Sequence, residues 1–594
     1  MDRQSTIGFV LIFVVLVVWM WLNSPVQKPK PIEQTAKAGQ VKDTVKALNR
    51  QQLPEPKEKQ ESNPYGKFFS ERAQGTEKII SIETDLYIAE ISTKGGVIKK
   101  WELKKFKTWD KHPVQLVDYT KNGDFAVLLT TSDGRVINTK DLYFDVQTSR
   151  NNVKIEGNFE FEVIFTLTAS NGGQLVKKMK FRNEEYGFET EIQLLNLSSV
   201  IANYQYEVAW EHGIRYAEQN SVDESGFAAA YAYAGKELTE INATKNDQKE
   251  QKEFSGAIDW VATRNKYFAV ALIPTGDVSE GAYLEGTRSA MPDNGEKETY
   301  GISLKMPYKG GAKEHSTFKV FLGPLQHSVL KSYEKGLENI MSLGWAWLIR
   351  PISEYIMLPI FTTIHYVVPN WGLVIIVFSI LIKLAMHPLS KSQMKSMKKM
   401  QKLQPLMDEL RTKYKDDPQK MNQSIMNLYK EYGVNPAGGC LPLLLQMPIM
   451  YALYAVFRGA IELRQASFDG WINDLSIPDV IYRLPFKLPF IGIQDISGIA
   501  VLMGVTMFVQ TKMTTKDPRQ KAMVWMMPIM MTFLFNGFPA GLNLYYTVFN
   551  ILSIGQQLLI NKQHDDEPLR KVEQKKKTRG GIFKFTKDMP RLKK

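Results

Sequence analysis

The sequence predicts a multi-domain protein in which an α-helical membrane bundle carries a large all-β domain. Three observations lead to this fold class. Apolar runs long enough to cross a bilayer lie near the N-terminus and in the C-terminal half. Between residues 77 and 322, apolar and polar side chains alternate with a period of two. The mean hydropathy of −0.24 is too low for a pure bundle, so much of the 594-residue chain must be water-soluble.

Charge and cysteine content exclude several classes of protein. The net charge is +13, but the basic residues concentrate beside apolar runs, so lipid head groups and positive-inside topology explain them better than nucleic acid does. Cys440 is the single cysteine, which excludes an intramolecular disulfide and a cysteine metal cluster. The sequence has no phosphate-binding loop and no nucleophile constellation. We therefore expect no enzyme activity, no metal and no other cofactor.

The chain begins with a predicted transmembrane anchor at residues 1–22. Its apolar run ends in Trp19 and Trp21, as an interfacial aromatic belt would. A cleaved signal peptide is the alternative, but no small-x-small cleavage site precedes Pro25. Residues 23–76 are rich in Pro, Lys, Gln and Glu, and we expect a linker without fixed structure there.

Residues 77–343 are predicted to form an antiparallel β-sandwich with a C-terminal helix. Apolar residues alternate along residues 153–167 and again along 188–194, with Asn171-Gly172-Gly173 as the turn between them. Glu211, His212 and Asp223 lie in loop-like stretches and would suit a hydrolase. Isolated polar loop residues are far more often structural than catalytic, so we favour no active site in this domain.

The chain then returns to the bilayer. Residues 344–369 are apolar but carry Arg350, Pro351, Glu354 and Pro359, which favours a helix lying in the membrane interface over one that crosses. Residues 370–389 form the second predicted transmembrane helix. Its apolar run is interrupted by Ser379 and, close to the basic segment that follows, by Lys383.

Lys383 is the candidate centre of function. A cation inside a spanning helix costs about 2.5–3.5 kcal/mol and is rarely left facing lipid. Ser379 lies one turn earlier on the same helical face. The other predicted crossings hold no acidic residue that could pair with Lys383. Its partner must therefore be water, a polar cavity, lipid phosphate or a group that arrives with a substrate.

Residues 390–439 are predicted to form a cytoplasmic helical hairpin, with Asp417 capping its second arm and Gly433 ending it. Ten basic residues against five acidic ones place it on the inside. A solvated face or lipid contact would explain this charge, and so would contact with a ribosome or nascent chain. The basic residues that we single out are Lys398, Lys399, Lys402 and Arg411.

The basic content of the remaining loops alternates as a core of five crossings after one anchor requires. The predicted segments are transmembrane helix 3 at 440–457, an outside loop at 458–497, helix 4 at 498–510, an inside loop at 511–521, helix 5 at 522–538, helix 6 at 541–560 and a basic cytoplasmic tail at 561–594.

Polar groups and methionines are scattered through these crossings. Gln446 and Tyr546 are two of the polar groups, and hydrogen bonding between helices is the ordinary explanation for each. Met447 and Met450 follow Gln446 directly. Flexible methionines fill cores, but together with an unpaired cation they favour a site for varied apolar chains that also carry polar parts.

Several motifs, in order, resemble the YidC/Oxa/Alb family of membrane protein insertases, and the long exported sandwich resembles that family's Gram-negative branch. The motifs are NWG followed by the apolar run with its cation and PL (370–389), LQP (403–405), VNPAGGCLPLLLQMPIMYALY (434–454), ELRQASF (462–468), LMGVTMF (502–508) and FPAGLNLYY (538–546). The resemblance implies a five-helix insertase core and a periplasmic supersandwich like that of sugar mutarotases, without their chemistry.

The resemblance also implies a site and partners. The family has an arginine in a hydrophilic groove, and Lys383 occupies its position; lysine is a point charge and does not form arginine's bidentate pairs. The groove-lining positions correspond to Ser379, Gln446 and Tyr546. The implied function is insertion, folding and assembly of inner-membrane proteins, with and without the Sec translocon. Implied partners are nascent membrane proteins, the Sec translocon, translating ribosomes and lipids, with both termini cytoplasmic.

Two other functional classes stay open at this stage. A solute transporter would need internal repeats and acidic intramembrane partners, and the sequence shows neither. A membrane-anchored β-sandwich enzyme or carbohydrate-binding module would place function in residues 77–322. Deleting most of that domain would distinguish this alternative from an insertase.

Overall fold

A computed structural model describes residues 64–434, 441–488, 492–515, 521–563 and residue 571. The predicted anchor, most of the predicted linker and most of the basic tail lie outside the described residues. The described chain forms a large β domain followed by a helical core, as predicted. The predicted boundary at residue 76 is too late, because Phe68 and Phe69 are already buried in the core of the β domain.

The β domain is built from three sheets. Its strands are β1 (Ile79–Glu83), β2 (Tyr87–Ser92), β3 (Val97–Lys107), β4 (Pro113–Gln115), β5 (Ala126–Thr131), β6 (Val136–Asn138), β7 (Asp145–Gln147), β8 (Asn152–Lys154), β9 (Glu160–Thr168), β10 (Gln174–Arg182), β11 (Gly187–Leu195), β12 (Ile201–Trp210), β13 (Ala229–Ala234), β14 (Glu237–Ile241), β15 (Lys249–Ser255), β16 (Trp260–Arg264), β17 (Phe268–Pro274), β18 (Gly281–Met291), β19 (Gly295–Pro307) and β20 (Lys313–Pro324). The strand orders are β4-β3-β2-β1-β8, β14-β13-β16-β17-β20-β11-β10-β9-β7 and β15-β18-β19-β12-β5-β6. The sheets are antiparallel except where β1 pairs with β8.

Three buried tryptophans anchor the core of the β domain, and each indole N–H finds a backbone acceptor. Trp101 donates to the carbonyl of Leu322, Trp210 to that of Gly213 and Trp260 to that of Lys335, at 3.0, 2.7 and 2.9 Å. A buried indole N–H without a partner would cost free energy, so these bonds fix the rings as well as the loops that they contact.

Two predicted elements of this domain are shorter than expected. The alternating run at 153–167 is not one strand, because Gly157 adopts a positive φ of 57° and separates β8 from β9. The predicted C-terminal helix at 324–343 is broken into α3 (His327–Ser332) and a 3-10 turn (Leu337–Ile340), with positive φ at Gly336 between them. The earlier helices are α1 (Gly66–Phe69) and α2 (Ser221–Ser225).

The helical core begins in the predicted interfacial segment. A π-helical turn (Ser353–Met357) joins α4 (Ile349–Ile352) to α5 (Leu358–Val367). The remaining helices are α6 (Trp371–Ala385), α7 (His387–Lys402), α8 (Gln404–Lys413), α9 (Pro418–Glu431), α10 (Leu441–Gly459), α11 (Gly498–Thr514), α12 (Lys521–Phe535) and α13 (Ala540–Gln563). A short ribbon of β21 (Val480–Arg483) and β22 (Asp495–Ser497) connects α10 to α11.

Helix α6 ends earlier than the predicted transmembrane segment at 370–389. The chain bends by 64° between α6 and α7, and Pro388 lies in the first turn of α7. Proline lacks the N–H that would continue the helix and clashes with the preceding turn, so the bend follows from the sequence. Lys383 consequently lies in the last turn of α6.

By length and hydropathy, none of the described helices is sufficient alone for a bilayer crossing, whereas the bent pair of α6 and α7 is sufficient together. Helix α11 and residues 524–535 of α12 are shorter apolar helices.

Helix α13 is the central helix of the core and packs against α6, α7, α10 and α11. Aromatic rings fill the space between them: Phe361 stacks on Phe378 with centroids 4.5 Å apart, and Phe378 contacts Tyr545 at 6.1 Å. The arm formed by α8 and α9 has a small core of its own around Leu403 and Met407. Asp417 caps α9 as predicted, accepting from the N–H of Lys420 at 3.0 Å.

Candidate substrate groove

Lys383 is buried between α6 and α13, with 8 % of its surface exposed. Its Nζ donates to Oγ of Ser553 at 2.6 Å, and it lies 4.5 Å from the centre of the Phe549 ring. Ser553 uses its own proton to bond the carbonyl of Phe549 at 2.7 Å. The Ser553 oxygen is therefore an acceptor for the lysine, and the aromatic face supplies a second favourable contact for a cation.

The hydrogen-bonding capacity of Lys383 is incompletely used within the described part of the chain. An ammonium group has three donors, and Ser553 accepts one of them. No carboxylate of the described residues lies within ion-pair distance of Lys383. The remaining donors are available to water, lipid phosphate or a substrate.

A polar stripe runs along the buried face of α13 and passes Lys383. Its members recur every three or four residues, which places them on one face of a helix. Each is at most 7 % exposed; the polar stripe consists of Asn543, Thr547, Asn550, Ser553 and Gln557. Asn550 reaches across to Oγ1 of Thr506 on α11 at 3.3 Å.

Several buried polar atoms of α13 have no hydrogen-bond partner among the described residues. They are Oδ1 of Asn543, the hydroxyls of Tyr545 and Tyr546, and Oε1 of Gln556 and Gln557. A buried polar atom without a partner costs about 1–3 kcal/mol. Water or a polar ligand would satisfy these atoms.

The sequence prediction missed four residues near Lys383: Asn550, Ser553, Gln556 and Gln557. Gln556 approaches Nδ1 of His387 at 3.1 Å, close to the bend after Lys383. A signal for them was present, because polar residues continue the spacing that starts at Asn543. That spacing predicts a common helical face but not which neighbouring helix it meets.

The predicted site residues occupy different parts of this core. Ser379 is fully buried and bonds the carbonyl of Ile375 in its own helix at 2.7 Å. Gln446 and Met450 on α10 are half-buried, and Met447 is 39 % exposed. Tyr546 packs edge-on against Phe535 and Tyr545. None of these side chains makes a hydrogen bond with Lys383 within the described ranges.

The predicted basic residues of the hairpin are divided between anchoring and exposed positions. Lys398 donates to the carbonyl of Asn561 in the last turn of α13 at 2.9 Å, which suits the negative end of a helix dipole. Arg411 pairs with Asp408 on its own helix at 3.0 Å. Lys402 is half-buried, whereas Lys399 points to solvent.

The polar loop residues of the β domain have structural roles. Asp124 accepts the backbone N–H groups of Glu211 and His212 at 2.6 and 2.8 Å, and Glu211 pairs with Lys140 at 3.0 Å. Asp223 bridges Lys266 and Arg458 at 2.7 and 2.8 Å. Burial would raise the pKa of Asp223, but these two cations hold it below its ordinary value.

The Asp223 bridge belongs to an interface between the β domain and the outer end of α10. Beyond that helix, the side chain of Arg464 is 2 % exposed and pairs with Glu218 at 2.5 Å. Gln465 donates to the carbonyl of Lys107 at 3.0 Å. The loop after α10 therefore lies on the same side of the helical core as the β domain.

Two family models match the chain, one for each of its parts. The model described as the YidC periplasmic domain matches residues 79–355, and the model described as 60Kd inner membrane protein matches residues 363–567. The membrane protein insertase YidC of Chlorobium phaeovibrioides is 40% identical over 593 residues, covering 98% of this chain and 100% of that protein. The insertase of the same name from Chlorobaculum tepidum is 39% identical over 575 residues, covering 96% of each.

A solved structure described as an active YidC insertase with its first transmembrane domain resolved is 20% identical, covers 82% of this chain and 93% of that chain, and has a TM-score of 0.35.

The periplasmic β domain, the helical core and the full-length relatives together define the class as membrane protein insertases of the inner membrane, which are not enzymes. The chain belongs to the YidC family. The resemblance found in the sequence motifs is thereby confirmed.

Proposed function

We propose that this protein inserts and folds inner-membrane proteins, with and without the Sec translocon, through a hydrophilic groove centred on Lys383. The observation that carries the proposal is a buried cation with one hydroxyl acceptor among the described residues, beside a polar stripe with unsatisfied atoms. A polar flank of a nascent segment supplies the missing acceptors. Polar groups held inside the bundle shorten the apolar path that this flank must cross.

The apolar part of the same segment takes a different path. Met447 is exposed and Met450 is half-buried on α10, so flexible side chains are available to varied apolar chains. Transfer of the segment into lipid contributes about 25 cal/mol per Å² of apolar surface. This partition drives insertion, and no nucleotide cofactor is needed.

The proposed topology has six membrane crossings, with both termini in the cytoplasm and the segment at 344–369 in the interface. Trp345, Trp347 and Tyr366 are all more than 60 % exposed, as interfacial aromatic residues would be. The hairpin at 390–439 receives the nascent segment from the ribosome, with Lys399 and Lys402 beside the incoming chain. Lys398 ties this arm to α13.

Site-specific crosslinking tests the groove directly. A photoreactive residue at Gln446 or Tyr546 is expected to capture a stalled nascent membrane protein, whereas one at Tyr204, which is 69 % exposed on the β domain, is not. Capture at Tyr204 but at neither groove position would contradict the proposal.

Substitutions of Lys383 test the role of its charge. Lys383→Ala is expected to impair insertion of substrates with charged flanks, and Lys383→Arg is expected to support insertion because the family position accepts a guanidinium. If Lys383→Ala inserted every tested substrate normally, the proposed role of the Lys383 charge in insertion would be refuted.

Deletion of residues 77–322 separates an insertase from a β-sandwich enzyme or carbohydrate-binding module. The insertase proposal predicts retained insertion, whereas the alternative predicts loss of all activity. The deletion removes Glu218 and Asp223, which leaves Arg464 and Arg458 without their partners. A second deletion carrying Arg458→Gln and Arg464→Gln controls for these uncompensated charges.

A further inference from the structure

The ribbon between α10 and α11 exposes a concentration of apolar side chains. Val480, Ile481 and Tyr482 of β21 are 52, 53 and 58 % exposed. The pairing register shifts between Val480 and Tyr482, so Ile481 is the extra residue of a bulge, and all three side chains are exposed. A two-stranded ribbon is marginally stable in water, and exposed apolar side chains make it less so. We call β21, β22 and the described residues between them the outer hairpin.

The outer hairpin is nevertheless fixed in place. The carboxylate of Asp479 accepts from Nε1 of Trp471 at 2.7 Å and from the backbone N–H of Ile499 in the first turn of α11 at 2.9 Å. At the end of α12, Asn536 accepts from the N–H of Ser497 at 2.9 Å and donates to the carbonyl of Asp495 at 2.7 Å. The apolar side chains are thus held at the ends of two core helices.

The position of the outer hairpin indicates what covers it. It follows the loop that contacts the periplasmic domain through Arg464 and Gln465, so it lies at the periplasmic end of the core. The chain leaves β22 directly into α11, where Val501 and Val505 are 42 and 54 % exposed. In an inner-membrane protein such apolar helix sides face lipid. The outer hairpin therefore adjoins this lipid-facing helix along the chain.

Its aromatic and charged residues favour a phospholipid interface over a second protein. Trp471 and Tyr482 are amphipathic rings of the kind enriched at head-group level, and Phe486 adds a third exposed ring. Arg483 is neutralised by a bidentate pair with Asp495 at 2.6 and 3.0 Å. Among the described residues, Lys487 has no ion-pair partner, and its charge suits an anionic head group.

We propose that the outer hairpin lies in the boundary between head groups and acyl chains of the periplasmic leaflet, with Ile481, Tyr482 and Phe486 in contact with lipid and Lys487 at the phosphates. The proposal rests on the family membership and the side of the hairpin, not on the groove. A defect in the groove would leave it unchanged.

Depth-dependent fluorescence quenching tests this placement in the full-length protein. Cys440→Ser removes the native thiol, Ile481→Cys accepts an environment-sensitive fluorophore, and the protein is reconstituted in vesicles of phosphatidylethanolamine and phosphatidylglycerol. The control is Val278→Cys, because Val278 is 65 % exposed on the β domain. Phe268, at the start of β17, contacts Arg464 at the interface with the helical core. Val278 follows the other end of that strand, away from the interface.

Nitroxides on lipid head groups and shallow acyl positions are expected to quench the label at position 481 severalfold more than the label at 278, and aqueous iodide is expected to do the opposite. Ile481→Cys with Tyr482→Ser and Phe486→Ser should lose part of the lipid quenching while insertion activity is kept. Strong iodide quenching at 481 would show a water-exposed hairpin. Protection from both quenchers would show a protein contact, and either result overturns the proposal.

Discussion

Two buried lysines show how differently the two parts of this protein use a cation. Lys177 in the β domain is fully buried, and its Nζ donates to the carbonyls of Gly95 and Phe125 at 3.0 Å and of Gly96 at 3.4 Å. Lys383 in the helical core has one hydroxyl acceptor among the described residues. The acceptors of Lys177 are three fixed backbone carbonyls, so this lysine holds together the loops that carry them. The second lysine has donors without an acceptor among the described residues, and in the proposed groove these donors bind the substrate.

The largest difference is expected in the stability of the β domain. Lys177→Ala opens a cavity and leaves the three carbonyls without their donor, which should lower the free energy of unfolding by about 3–5 kcal/mol. Chemical denaturation of the full-length protein, followed by the tryptophan fluorescence, measures this. The adjacent Lys178→Ala, whose lysine pairs with Glu191 at the surface, should change it by about 1 kcal/mol or less. Equal losses for the two variants would contradict the comparison.

The next largest effect is expected on the rate of insertion and not on the stability of the protein. Lys383→Ala removes the free donors, and a charge-assisted hydrogen bond of about 1.5–3 kcal/mol corresponds to roughly ten- to hundredfold slower insertion. Insertion of a substrate with an acidic flank into proteoliposomes measures the rate. Lys177→Ala is the matched control and should insert normally below its unfolding temperature. If Lys383→Ala lowered the stability as severely as Lys177→Ala, the contrast between a functional and a structural lysine would be contradicted.

The pH dependence of stability sharpens the comparison further. Burial lowers the pKa of Lys177 to about 7. The unfolded chain then binds more protons than the folded one between about pH 7 and about pH 10, so the free energy of unfolding should rise with pH there, by at most about 1.4 kcal/mol per unit. Below pH 7 both states hold the proton, and this contribution is constant.

Other titrating groups restrict the pH range in which the slope of the free energy of unfolding reports on Lys177. Burial raises the pKa of Glu224 to about 8 and that of Glu298 to about 7, and both give the opposite slope below those values. The measurement is therefore made at about pH 8.5, where both carboxyls have lost most of their protons and the buried tyrosines, whose pKa values are raised by burial, are still protonated in both states. Lys177→Met should flatten the slope there, and a slope unchanged by this substitution would show that Lys177 does not titrate in the folded domain.

The smallest expected effect is on the insertion rate when Ser553, the hydrogen-bond acceptor of Lys383 among the described residues, is replaced. Ser553→Ala removes the acceptor that orients Nζ, at a cost of about 1 kcal/mol, so insertion should slow by roughly fivefold. Ser553→Thr keeps the hydroxyl and should restore the rate. A threonine variant as slow as the alanine variant would assign the effect to packing.

The two lysines also show which parts of a site the sequence can predict. Lys383 stands out because the residues around it in α6 are apolar. Lys177 shares the inward face of β10 with Leu175 and Met179, so the alternation places it inside. Its acceptors come from Gly95, Gly96 and Phe125, on distant segments, and no local pattern indicates them. The same limit applies to Ser553, which lies 170 residues after Lys383.

Element boundaries were predictable where local chemistry is decisive. Asp417 with Pro418 gave the start of α9 correctly. The end of α6 was predicted too late, although Pro388 was visible, because the apolar run continues past the bend. Phe68 and Phe69 lie in a stretch of linker-like composition, and only the tertiary fold shows that they are buried.

The ion pairs between the β domain and the outer end of α10 constrain the construction of chimeras. Arg464 is almost fully enclosed, and its counter-ion Glu218 comes from the other domain. A β domain grafted from a relative that matched the fold but lacked carboxylates at positions 218 and 223 would bury a guanidinium without a counter-ion, at a cost of about 3–5 kcal/mol. Donor domains should therefore be chosen by these two positions before overall identity, and exchanged together with residues 458–465.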